Sequence, residues 1–114
     1  MTFKWTIFFA DLNPVIGSEQ AGTRPVIVIS DETYNTVMPV VTILPLTSLK
    51  QGRRVYPNEA LLPAGTGSIP RDSIALVHQI RTISKERLGE EIGMITEPSV
   101  QDSINDAIRV HLNL

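Results

Sequence analysis

The side chains best suited to chemistry cluster in a few short segments. Arg24 stands directly before Pro25 and the apolar run PVIVIS, which puts its guanidinium at the mouth of a rigid element. A planar, permanently charged group so placed can meet two oxygens of an anion at once, which a lysine ammonium does less selectively. The same residue also fits a surface arginine paired with Glu19. Thr47 and Ser48 follow ILPL, where hydroxyls can donate to a phosphate or to developing charge on oxygen, or simply satisfy a turn. Two residues are candidates for moving a proton. Glu19 shares a segment with Arg24, and a carboxylate beside a cation is ionised and able to accept. His78 carries an imidazole, the side chain that titrates nearest neutrality, although a lone histidine at a strand end also serves structure. Arg53 and Arg54, with Lys50 and Gln51 around Gly52, form the most basic stretch and read as a mobile loop, either touching phosphates or forming a solvated hairpin tip.

These groups must be positioned by regular elements. Trp5 to Leu12 and Pro25 to Ser30 are rich in aromatic and β-branched residues and predict strands, with a long loop, Asn13 to Thr23, between them. Loops of that length in small domains often carry function. Further strands are predicted at Pro39 to Leu46, at Arg54 to Leu62, and at Ser73 to Val77 with Gln79 to Ile83 as one bent strand. Pro63, Gly65, Gly67 and Pro70 mark a flexible connection. Ser84 to Leu88 fits a short helical turn. Near the end the period changes: Thr96 can cap a helix, Pro98 suits its first turn, and Val100, Ile104, Ala107, Ile108 and Leu112 share one face. His111, near the end of that face, is expected to pack partly buried. Phe3, Trp5, Phe8 and Phe9 could stack nucleobases, but alternation along a strand favours core packing for most of them. Many strands followed by a terminal helix predict an α+β fold with a strongly curved antiparallel sheet or open barrel.

Composition bounds the function. A chain of 114 residues that is 42% hydrophobic supports one domain, here residues 1 to 114. Val37 to Leu46, the longest uncharged apolar stretch, is about half of the roughly 20 residues a membrane helix needs, so no membrane segment is expected and a cytoplasmic location is the default. The absence of cysteine removes disulfides, thiolate metal sites and thiol nucleophiles. The net charge of -2 argues against a broad nucleic-acid coat. Residues 1 to 84 nevertheless hold seven basic and six acidic side chains, against three and six in residues 85 to 114. Any polyanion site must therefore be a local groove beside the motifs.

GSEQAGTRPVIVIS, the LPLTS segment and DSIALVHQIRTISKERL together resemble the MazF/PemK toxins of bacterial toxin-antitoxin systems, in the expected order over nearly the whole chain. The resemblance implies a small SH3-like β-barrel with a C-terminal helix, acting as a homodimer. It also implies a cofactor-free and metal-independent endoribonuclease that cuts single-stranded mRNA by 2'-hydroxyl attack, leaving a 2',3'-cyclic phosphate and a 5'-hydroxyl. The family's catalytic arginine falls on Arg24 and its catalytic threonine on Thr47, while Glu19 matches an acidic loop residue implicated in some members. RNA contacts are expected from Ser18 and Gln20 in the long loop, from Ser48, from Arg53 and Arg54, and from Gln79 and Arg81. The implied partner is an antitoxin of the MazE type whose disordered acidic tail lies along the RNA groove. Two departures stand out: Lys4, Trp5 and Thr6 replace a common Arg-Gly-Asp start, and His78 occupies a position that is often acidic. Alternative readings are a noncatalytic toxin of related fold that binds DNA gyrase, and a degenerate member that only binds antitoxin or RNA.

Overall fold

Three apolar runs that read as strands form the centre of a seven-stranded antiparallel sheet in the computed structural model, which describes residues 1 to 114. They are β1 (Thr6–Asp11), β2 (Thr23–Val28) and β3 (Val40–Ser48). The others are β4 (Glu59–Leu62), β5 (Ser73–Leu76), β6 (Arg81–Ser84) and β7 (Leu88–Met94), in the order β4-β5-β3-β2-β1-β7 with β6 also on β3. The central strands read as continuous apolar runs because both of their faces are covered. Ile7, Ile27, Leu44 and Leu46 pack with Val100, Ile104 and Ala107 of the C-terminal helix α2 (Pro98–Leu112). Their alternating neighbours Phe8, Ala10, Val26, Val28, Val41 and Ile43 close a second core with Leu12 and Ile83. This is the expected α+β arrangement, a curved antiparallel sheet with a terminal helix.

The curvature has local causes. The β1–β7 register shifts between Ile7 and Phe8 and again between Phe8 and Ala10, and such irregularities increase strand twist. One edge of β3 is shared by two partners: β6 pairs with Val40 to Ile43, and β5 with Leu46 to Ser48. A 3₁₀ turn at Val77–Gln79 joins those partners, so the expected bent strand is two strands around a turn. The strand expected from Arg54 begins only at Glu59. Pro57 offers no backbone donor, and the Glu59 N–H closes a turn onto the Tyr56 carbonyl instead of entering a ladder. At α2 the cap is Glu97 rather than Thr96, with Pro98 in the first turn as predicted. Leu112 is exposed, and so is His111, which meets Asn58 at 3.3 Å rather than packing. No helix is long and apolar enough to cross a membrane.

A short helix, α1 (Glu32–Val37), which the sequence did not announce, explains how the unusual start is held. The Glu32 carboxylate accepts the backbone N–H groups of Phe3 at 3.0 Å and Lys4 at 2.9 Å, and the Asn35 amide at 3.1 Å. Trp5 follows with a φ of 67°, a costly conformation for a large side chain. It is fixed on both sides, donating to the Val28 carbonyl and accepting from the Ile95 N–H, each at 2.8 Å. Partial burial pushes the Glu32 carboxyl up, but the Lys4, Phe3 and Asn35 donors outweigh it and hold the group below its ordinary value of 4.5. A folded-state value below the unfolded one means that this contribution is complete above about pH 4.5 and is lost as pH falls through the depressed value. Thermal unfolding across pH is expected to show Glu32→Gln less stable than wild type at pH 7, with the gap narrowing below pH 4.5. A gap independent of pH would remove the carboxylate's charge from the account.

Candidate active site

The ladder between β2 and β3 contains only Val26–Pro45, Ile27–Leu44 and Val28–Ile43. Continuing that register by two places would set Arg24 opposite Thr47, but the strands part there. Part of the reason is Pro25 on β2, which faces β3 but has no N–H to donate, so a rung is lost where the ladder ends. Beyond the split, β2 stays with β1 through Ala10–Arg24 and Asp11–Thr23, while β3 goes over to β5.

The seam opens into a cleft of about 550 Å³ lined by Arg24, Thr47 and Ser48. The Arg24 Nε donates to the Ala21 carbonyl at 2.8 Å, which aims the group and leaves both terminal nitrogens without a protein acceptor. Lys50 and Arg71 complete the charged lining, Phe9, Leu46, Ile69 and Ile92 form its apolar wall, and no carboxylate borders it. Asp72, the acid next to Arg71, turns away to accept the Ala64 N–H at 2.8 Å. A chain of net charge -2 thus concentrates three unpaired cations and three hydroxyls, those of Thr47, Ser48 and Ser73, in one concave site, an arrangement suited to the backbone of a polyanion.

The other expected site residues lie elsewhere. Ser18, Glu19, Gln20, His78, Gln79 and Arg81 line a second cleft of about 350 Å³, between the long loop and the 3₁₀ turn opposite Pro45. Arg24 and Thr47 are absent from it. The Glu19 carboxylate folds back onto the Ile16 N–H of its own loop and forms no ion pair with Arg24. The loop itself is well tied. Gly22, with a φ of +77°, donates to the Asn13 side chain and accepts the Leu12 N–H, and Arg81 and Arg87 hold the carbonyls of Leu12 and Asp11 at 2.8 and 3.1 Å.

The basic stretch at 50 to 54 behaves differently from a free loop. Arg53 is spent on the buried Glu59 through two bonds of 3.0 and 2.8 Å, which hold that carboxyl below the usual glutamate range. Arg54 stacks over Tyr56 at 5.3 Å. Neither lines either of the two clefts; Lys50 is the member of the stretch that reaches the seam. Arg71 was missed in the sequence, and of the four aromatics that could stack a base only Phe9 lines the cleft. Arg71 follows Pro70 at the entry to a strand, mirroring the Arg24-Pro25 context, and that signal could have marked it. Phe9 is 40% exposed, on the outward side of a strand whose other residues are mostly core.

Comparison with known proteins follows the same lines. The PemK-like, MazF-like toxin family of type II toxin-antitoxin systems matches residues 4–112. The chain is 36% identical over 108 residues to "Endoribonuclease EndoA" of Bacillus subtilis, covering 95% of this chain and 91% of that one. It is 33% identical over 114 residues to "Endoribonuclease MazF" of Staphylococcus saprophyticus, covering 100% and 93%. Among solved structures, MazF from Deinococcus radiodurans is similar with a TM-score of 0.79 and 26% identity, over 97% of this chain and 96% of that one.

Proposed function

Because the chain belongs to the PemK/MazF toxin family, we propose that it is an endoribonuclease toxin that cleaves single-stranded mRNA at the seam between β2 and β3. The observation that carries this reading is the open cleft where Arg24, Lys50 and Arg71 stand without a carboxylate beside Thr47 and Ser48. Cleavage proceeds by attack of a 2'-hydroxyl on the adjacent phosphorus, giving a 2',3'-cyclic phosphate and a 5'-hydroxyl. Arg24 stabilises the charge that builds on the phosphoryl oxygens, since its free terminal nitrogens are already oriented and cost no reorganisation when the charge develops. Thr47 donates its hydroxyl to a phosphate oxygen, and Lys50 and Arg71 hold the flanking backbone in line. A guanidinium is too weak a base near neutrality to take the hydroxyl proton. Glu19 and His78 face the neighbouring cleft, so we assign them to shaping the RNA path there rather than to proton transfer.

A homodimer and a MazE-type antitoxin complete the proposal. An acidic, disordered segment with apolar anchors suits a cleft that pairs three cations with the exposed Phe9 ring. The test is direct. Purified protein should cut a long single-stranded RNA in EDTA and leave cyclic-phosphate ends, and a single 2'-deoxyribose at a mapped site should abolish cleavage there. Continued cutting at the deoxy position would exclude 2'-hydroxyl attack, and intact RNA across many sequences would sink the nuclease reading.

A further inference from the structure

Glu59 is a buried carboxylate that the proposed chemistry does not use. It opens β4, where pairing with Leu76 of β5 fixes its backbone. A charge so placed must be matched by donors. Arg53 supplies two of them, laying its terminal nitrogens on the two carboxylate oxygens at 3.0 and 2.8 Å, and the Tyr56 N–H adds a third at 3.0 Å. Such a two-pronged contact fixes both where the guanidinium sits and which way it faces. Between residues 49 and 58 the chain forms no strand or helix, so this charge-assisted pair is the firmest tie that its side chains make.

The tie reaches the seam through the backbone. Lys50 enters no ion pair, and an ammonium on a flexible stem is aimed only as well as its backbone is held. One anchor lies before it, where the Leu49 N–H donates to the Asp72 carbonyl at 2.9 Å, next to Arg71. The other lies after it: the Arg53 N–H donates to the Lys50 carbonyl at 3.0 Å and closes a turn through Gly52, whose φ is +79°. That turn is only as steady as Arg53, and Arg53 is held by Glu59. Glu59 itself lines neither cleft. Building on the ribonuclease reading, we propose that Glu59 is a positioning residue for RNA binding, fixing Arg53 and with it the turn that holds Lys50 over the seam. The carboxylate also neutralises Arg53, so the turn presents one phosphate-seeking charge to the seam rather than two.

Binding of an RNA carrying one 2'-deoxyribose at its mapped cut site, measured over a range of salt, tests this. Lys50→Ala is expected to weaken binding about fivefold, the upper range for an exposed ion pair, and to flatten the log–log salt slope by about 0.7, the share of one single-strand phosphate. Glu59→Gln keeps both Lys50 and Arg53, yet it should show most of both losses. Added to Lys50→Ala, it should cost less than about twofold more, because the two changes act on one contact. Since Glu59→Gln can lower stability, a second variant replaces the pair together, Arg53→Met with Glu59→Leu, which buries no unmatched charge. It should keep a urea midpoint near wild type and show the same losses, again absorbed by Lys50→Ala. Losses that add in full to those of Lys50→Ala, or an unchanged slope in Glu59→Gln, overturn the positioning role while leaving the ribonuclease reading intact. A steeper slope in Glu59→Gln overturns it as well, because the freed Arg53 then takes a phosphate itself. A wild type that neither binds nor cuts RNA overturns both.

Discussion

Arg24→Ala is expected to lower the rate of RNA cleavage about 10²–10³-fold while the protein keeps its fold, the loss typical of removing one preorganised donor from developing charge. The side chain is half-buried at the mouth of β2, makes a single hydrogen bond to the Ala21 carbonyl, and enters no ion pair, so little of the fold depends on it. Arg24→Lys should recover only part of the rate, because an ammonium donates from a single nitrogen and lacks the planar fork that lets Nε hold the Ala21 carbonyl while the terminal nitrogens meet a phosphate. Glu19→Gln is the informative control. Its carboxylate faces the other cleft, and its loss should cost less than tenfold without moving the pH-rate profile. Single-turnover cleavage of one defined RNA measures all three variants. If Glu19→Gln removes the acidic limb of the profile, the proton acceptor lies in the long loop after all and must swing across to the seam.

Gly93→Ala is expected to destabilise the protein by about 3 kcal/mol or more, at the upper end of what overpacking costs, read as a lowered urea midpoint. A methyl group there would lie 2.4 Å from the Gly67 carbonyl oxygen and 2.9 Å from Ser68 Oγ. The first neighbour is backbone and cannot rotate away. Gly67 is itself confined, with a φ of 54° and an added Cβ only 2.6 Å from Ile7. The two glycines thus let the 3₁₀ turn at Thr66–Ser68 press against β7, and through Ile7 and Ile95 against the larger core. Gly89→Ala, where the nearest atom stands at 3.3 Å, should cost much less.

What could be read from the sequence follows from how local its causes are. The central strands were legible because covered faces demand unbroken apolar runs, and α2 because Val100, Ile104 and Ala107 keep helical spacing. β7 was not, since LGEEIGM holds two glycines and two glutamates and owes its place to pairing with β1 and to the close approach at Gly93. α1 was missed for a related reason: six residues with two threonines and a valine form a weak helix on their own, and the Asp31 cap together with the tie from Glu32 to the N-terminal backbone holds it. Arg24 and Thr47 could be picked out together because GSEQAGTRPVIVIS and LPLTS, the segments that hold them, resemble the family's motifs. The separation of Glu19 from Arg24 could not. They are five residues apart in one loop, and the direction each side chain takes depends on the bend at Gly22 and on anchors from Gln79, Arg81 and Arg87, which lie some sixty to seventy residues away in the chain.

The missing rung beside Pro25 has a consequence for control. An opening left by two strands that cannot zip together has no shut form to relax into, because closing it would require a donor that Pro25 does not have. Such a site is armed from the moment the chain folds. On the proposed function, restraint must then come from outside the molecule, through occupancy. Activity in the cell would follow the balance between this protein and whatever lies in its seam, and release would be governed by how quickly that occupant is made and destroyed rather than by any motion of the sheet.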